Sequence, residues 1–201
     1  MPRYPSEHKL QTRRRILEAA GRRMKSDGID GSGVAVLMSD AGLTNGAFYS
    51  HFDTKSDLVA AVVAQQMDTY VAMVESLPPG PAGLDAYIGA YLSPEHRDDL
   101  AGGCPSAALL DEIGRCDDGV REAYDDGLQR FLATVAARLS GDLGLEPDLA
   151  RTRAVGLYTV LVATLQLARA VADPAQSQQI LEAGAANARA LIGPGTGGGR
   201  S

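Results

Sequence analysis

Apolar positions along this chain recur with helical rather than strand spacing. Val34, Leu37, Met38 and Ala41 fall at i, i+3, i+4 and i+7, so all four share one face of a short helix. Gly42 ends that helix, since a residue without Cβ takes positive φ at little cost. Leu43 follows as an inward anchor, and the Thr44 hydroxyl can cap the next helix. In that second helix Phe48 and Phe52, four residues apart, turn inward and leave Asn45, Gly46 and Tyr49 outside. Two short helices about a glycine turn, the second with a polar outer side, make a helix-turn-helix unit over about residues 33–52. Upstream, Ile16, Leu17, Ala20 and Met24 set a helix over residues 10–27 that stops at Gly28, while Pro2 and Pro5 mark residues 1–9 as a flexible basic arm. Downstream, Thr54-x-x-Asp57 is a capping box opening a long helix through Leu58, Val62, Gln66 and Tyr70.

The segment Leu77-Pro-Pro-Gly-Pro-Ala-Gly83 is the clearest break in the chain. Beyond it the pattern predicts helices over residues 84–91, 106–115, 119–139, 146–172 and 174–192, and a disordered tail over residues 193–201. The expected fold is all-α. A three-helix head within residues 10–70 is followed by a helical body over residues 71–192, joined by one long helix that can carry a displacement. Leu157, Tyr158, Leu161, Val162 and Leu165 make the penultimate helix apolar all round, which demands partners on every side. Ala183, Ala186 and Ala190 give the last helix a small-residue face. These two helices fit either the core of one chain or half of a four-helix bundle shared by two.

Composition narrows the classes. The 201 residues are 45% hydrophobic, with no Trp and few aromatics, as a helical globule requires. The longest apolar stretch, Ala154–Ala168, is about fifteen residues, too short to cross a bilayer. With no signal peptide visible, the expected place is the cytoplasm and no membrane partner is expected. Cys104 and Cys116 supply neither a disulfide framework nor a metal pair, so no metal or cofactor is expected. The net charge of −6 is unevenly spread. Residues 1–60 hold nine Lys or Arg against seven Asp or Glu, and the remainder ten against eighteen. A cationic end on an acidic body can meet phosphates locally, although such a face can also be merely solvated. The three histidines and scattered Asp pairs form no catalytic set, so the chain is not read as an enzyme.

The stretch LTNGAFYSHFDTKSDL resembles the recognition-helix signature of the TetR family of transcription regulators. Gly42, Leu43, Thr44, Gly46, Phe48, Tyr49, His51, Phe52, Lys55 and Leu58 carry the match, which covers about the first third of the chain closely. Met38 and Ser39 depart from it, since many members carry Ala and a charged residue there. The resemblance implies a ligand-responsive repressor that binds a palindromic double-stranded DNA operator as a homodimer formed through the last two helices.

The residue chemistry fits that reading. Asn45 has the amide fork that reads an adenine edge, Thr44 can meet a thymine methyl or a phosphate, and Gly46 allows close backbone approach. Tyr49, His51, Lys55 and Ser32 are phosphate candidates, Arg14 adds non-specific affinity, and Arg3 can enter the minor groove. Tyr49 and His51 can alternatively be packing residues. In the body, Met67, Tyr70, Tyr87, Tyr91, Tyr124, Phe131 and Tyr158 suit either a plain core or a cavity for a small hydrophobic or aromatic effector. Cys104, in the hinge Gly102–Pro105 at a helix start, is either an inert buried thiol or a partly exposed, reactive one. Some TetR-like regulators with a similar Gly-Cys segment respond to electrophiles or oxidants. The alternative function is therefore a helical small-molecule or redox sensor that has lost DNA binding.

Overall fold

The computed structural model describes residues 4–193; Arg3 and the tail from residue 194 lie outside them. The described residues form helices and connecting turns, with no strand among them. In order these are α1 (Tyr4–Asp27), α2 (Val34–Asp40), a 3-10 segment (Asn45–Ser50), α3 (Lys55–Glu75), α4 (Pro81–Tyr91), α5 (Pro94–Asp98), α6 (Pro105–Ile113), α7 (Asp118–Leu143), α8 (Pro147–Ala170) and α9 (Pro174–Ile192).

Two departures from the sequence pattern bear on the head. Helix α1 begins at Tyr4, ahead of the expected Leu10, so residues 4–9 are helical rather than a flexible arm. Pro5 is tolerated there because the first turn has no helical acceptor for its missing N–H. The expected recognition helix winds as a 3-10 segment, with Ala47 N–H donating to Thr44 C=O at 3.0 Å and His51 N–H to Phe48 C=O at 2.9 Å. Six residues between a glycine turn and the next cap leave little room for α-helical propagation. Nor does Thr44 cap it through its side chain; only the backbone of Thr44 takes part.

The chain divides into two compact units, the division falling within α3 and within α7. The first runs through Thr69 and takes in Asp99–Leu128. Its core gathers Ile16, Ala20 and Met24 from α1, Leu37 and Met38 from α2, Phe48 and Phe52, Leu58 and Val62 from α3, and Leu109 and Ile113 from α6. The helix-turn-helix apolar face is thus closed partly by α6, far away in sequence. Gly42 has φ +66, and beyond it Leu43 N–H reaches back to Met38 C=O at 2.9 Å. The capping box forms: Asp57 N–H donates to Thr54 Oγ1 at 3.1 Å and Thr54 N–H to Asp57 Oδ2 at 2.9 Å.

The second unit holds Tyr70–Asp98 and the chain from Gln129 onward. Here α8 and α9 pack against each other along their lengths. They approach so closely that a Cβ at Gly184 would lie 2.2 Å from Thr164 Cγ2. Asp173 caps α9 by accepting from Ala175 N–H at 3.0 Å, with Pro174 at the first helical position. The Arg138 guanidinium gathers the carbonyls of Val74, Leu77 and Pro78 and pairs with Asp142 at 2.8 Å, so the proline-rich break is fastened to α7.

Replacing Thr54 by Ala leaves the Asp57 N–H without its side-chain partner. A loss of about 1 kcal/mol is expected, seen as a lower denaturant midpoint with unchanged slope. An unmoved midpoint would remove the box from the stabilising contacts.

Candidate nucleic-acid interface

The outer side of the 3-10 segment is polar and exposed. Phe48 and Phe52 are buried, their rings 5.7 Å apart, and this fixes which residues face out. Thr44, Asn45, Gly46 and Tyr49 are all exposed, Tyr49 to 70%. The Tyr49 ring stands edge-on to Phe48 at 5.2 Å, so a largely solvent-facing phenol is held in one direction. No Cβ atom would meet a neighbour at Gly46, which keeps the backbone there open to close approach. These four exposed residues lie within six consecutive positions. That is a short polar surface with an amide, a hydroxyl and a phenol, the donors and acceptors that base edges and phosphates use.

Helix α1 braces this surface with its arginines. Arg13 donates to His51 C=O at 2.9 Å while its guanidinium lies 4.3 Å from the centre of the Phe52 ring. Arg15 donates to Ala41 C=O at 2.6 Å and so closes the end of α2. Arg23 forks onto Asp40 at 2.7 and 3.0 Å and also reaches Asp27 at 2.8 Å. Much of the basic cluster near the N-terminus is therefore internal scaffolding. Arg14 does stay exposed, paired with Glu18 at 2.8 Å one turn on.

The phosphate candidates divide. Ser32 is fully buried and donates its hydroxyl to Gly28 C=O at 2.7 Å, which withdraws the side chain from the surface and corrects its expected phosphate role. Lys55 is turned inward, its Nζ donating to Ile29 C=O at 2.6 Å. His51 is half-buried with Nδ1 enclosed and unbonded. Burial, reinforced by the positive charges of Lys9 and Arg13, holds its imidazole below the usual pKa, so the ring is neutral at pH 7. Arg3 lies outside the described residues.

This geometry has known relatives. Residues 16–62 match the family model for bacterial regulatory proteins of the tetR family. An uncharacterised helix-turn-helix transcriptional regulator of Mycobacterium tuberculosis is 25% identical over 141 residues, covering 67% of this chain and 69% of its own. The regulator TtgR of Pseudomonas putida is 36% identical over 70 residues, covering 35% of this chain and 33% of its own. In structure, the chain is similar to the reduced form of Escherichia coli NemR, with a TM-score of 0.78 at 20% identity over 92% of this chain and 99% of that one. Over residues 16–62 the chain is thus similar to the TetR family. The described residues have the all-α fold of those regulators, and the surface around Asn45 and Tyr49 falls within the stretch that matches the family model.

The candidates for effector binding do not fall on one element or in one unit. Met67, Cys104 and Tyr124 belong to the first; Tyr70, Tyr87, Tyr91, Phe131 and Tyr158 to the second. Within the second, Tyr87 and Tyr91 are buried with rings 5.9 Å apart, and Phe131 packs on Tyr158 at 4.6 Å. Within the first, the Tyr124 and Ser106 hydroxyls are bonded at 2.9 Å. Tyr124 also lines an open groove of about 510 Å³ beside Leu110, Ile113, Asp118, Arg121 and Glu122. Cys104 is the N-cap of α6 and is fully buried, with Gly103, Pro105 and Ser106 buried around it. Of the two readings of Cys104, the structure has the enclosed thiol, and the thiol-sensor alternative loses the access it needed.

A base whose folded-state pKa is depressed binds fewer protons folded than unfolded, so its contribution to stability is intact above about pH 6.5 and falls as pH drops. His51→Gln is expected to flatten the decline in melting temperature between about pH 7 and pH 5. Parallel profiles for the two proteins would contradict the neutral, buried imidazole.

Proposed function

We propose that this chain is a TetR-family transcription regulator that binds a palindromic operator as a homodimer and is released from it by a small hydrophobic or aromatic effector. The observation that carries the reading is the shared exposure of Thr44, Asn45, Gly46 and Tyr49 on a segment whose other side is locked into the core. Asn45 reads a base, while Thr44, Tyr49 and the neutral His51 ring contact backbone phosphates. Lys55 joins them by exchanging its Ile29 carbonyl for a phosphate. Arg14 adds a sequence-independent contribution.

The dimer forms through α8 and α9. On α8 the buried residues Leu157, Leu161 and Leu165 turn towards its own chain, while Val155, Thr159, Ala163 and Leu167, spaced by four, are exposed. Ala183, Ala186 and Ala190 are exposed on α9 and permit close approach. Two copies joined there display two reading segments, which is why the operator should have two-fold symmetry. The effector enters among Tyr87, Tyr91, Phe131 and Tyr158, and it must bind the released state more tightly to act. Repression rather than activation fits a protein whose only expected act on DNA is occupancy.

Selection of bound DNA from a random library should enrich a palindrome whose affinity falls steeply with salt. Asn45→Ala should then lose discrimination at one symmetric position by about 1–3 kcal/mol and leave the salt slope alone. Equal losses on matched and mismatched sites would refute the base-reading role. Leu167→Glu places a charge in the exposed stripe and should give a monomer by sedimentation, with operator affinity reduced about 100-fold or more. A folded dimer in that variant would put the interface elsewhere.

A further inference from the structure

Past the end of α1 the chain must turn before α2 begins, and the turn is held at one residue, Ile29. Gly28 has φ +83, and a Cβ there would lie 2.9 Å from Glu112 Oε1, so glycine is needed both for the backbone and for the approach of that carboxylate. Glu112, on α6, accepts from Ile29 N–H at 2.7 Å and, more weakly, from Asp30 N–H at 3.4 Å. On the other side of the same residue, Ile29 C=O accepts from Lys55 Nζ at 2.6 Å and from Ser32 N–H at 3.3 Å. The Ile29 side chain is itself buried in the core. Three elements, α3, α6 and the turn, therefore meet on the backbone of a single residue.

From this we infer that Glu112 is a positioning residue for DNA reading: its carboxylate latches α6 onto the turn that sets the start of α2, and so sets where the 3-10 segment stands. The inference rests on the operator-binding reading and extends it to a residue 83 positions away in sequence from the amide it holds. The chain from Ile29 to the reading segment has little slack. Ser32 is tied to Gly28 C=O at 2.7 Å, Gly33 accepts the first bonds of α2, and Leu43 N–H is bonded to Met38 C=O. A turn released at Ile29 passes its freedom to α2 and then to Asn45. Any displacement of α6 passes along the same route.

The sign of the effect separates the latch from plain electrostatics. Replacing Glu112 removes a negative charge, which by itself leaves DNA affinity equal or raises it. Loss of the latch weakens the operator complex instead. In full-length protein, Glu112→Gln retains one acceptor and should lower operator affinity about threefold, and Glu112→Ala about tenfold, with affinity for non-operator DNA not reduced. Amide hydrogen exchange at Ile29 and Asp30 should quicken in the same order, with a circular dichroism spectrum like the parent's. Unchanged or tighter operator binding by both variants would overturn the inference, as would unchanged exchange at the two amides. Should the parent protein enrich no operator at all, the regulator reading fails first and the latch's role falls with it, a result distinct from variants that match a parent that does bind.

Discussion

Phe48 and Phe52 are drawn into the core of the first unit, and the shape of the reading surface depends first on that burial. A 3-10 segment of six residues cannot hold itself in water, because nucleating one turn costs more than so few hydrogen bonds return. Burial of the two rings decides which residues point out. That places Asn45 and Tyr49 on the surface as a consequence of what lies beneath them. The same core receives Leu109 and Ile113 of α6 and Val120 of α7, so the foundation of the surface is laid by parts of the chain far apart in sequence.

Charge in this protein serves two purposes that look alike in composition. A run of arginines on α1 suggests a phosphate-binding face. Yet Arg13, Arg15 and Arg23 spend their donors on carbonyls, a ring and carboxylates within the first unit. An arginine bonded to the carbonyls at a helix end does for α2 what a capping glycine or water does elsewhere, and it adds a tie between helices. Arg138 and Arg153 repeat this in the second unit, closing the ends of α3 and α9.

What could be read from the sequence was local. The spacing of Leu37, Met38 and Ala41, the left-handed Gly42 and the Thr54–Asp57 box all depend on neighbours within a few residues, and all appear in the structure. The inward turn of Lys55, the burial of Ser32 and the enclosure of Cys104 depend on partners or packing that no local period encodes. The exposed stripe on α8 lies between these cases. Its spacing of four, from Val155 to Leu167, was present in the sequence, but only the position of α9 shows which apolar face is already covered. The choice between an α-helical and a 3-10 reading segment was likewise hidden, since Phe48 and Phe52 are too few apolar positions to set a period.

The participation of α6 in the core of the first unit bears on how such a protein can be taken apart. A fragment cut at the end of the sequence match would take Leu109 and Ile113 out of the core they share with Ile16, Met24 and Ile29, and leave Ile29 N–H without its carboxylate. Regulators of this kind invite chimaeras, in which the reading head of one is spliced to the sensing part of another. Here the seam for such a graft does not follow the linear chain. The piece that moves as a whole has two strips of sequence, one at the front and one from the middle, and both must come from the same parent.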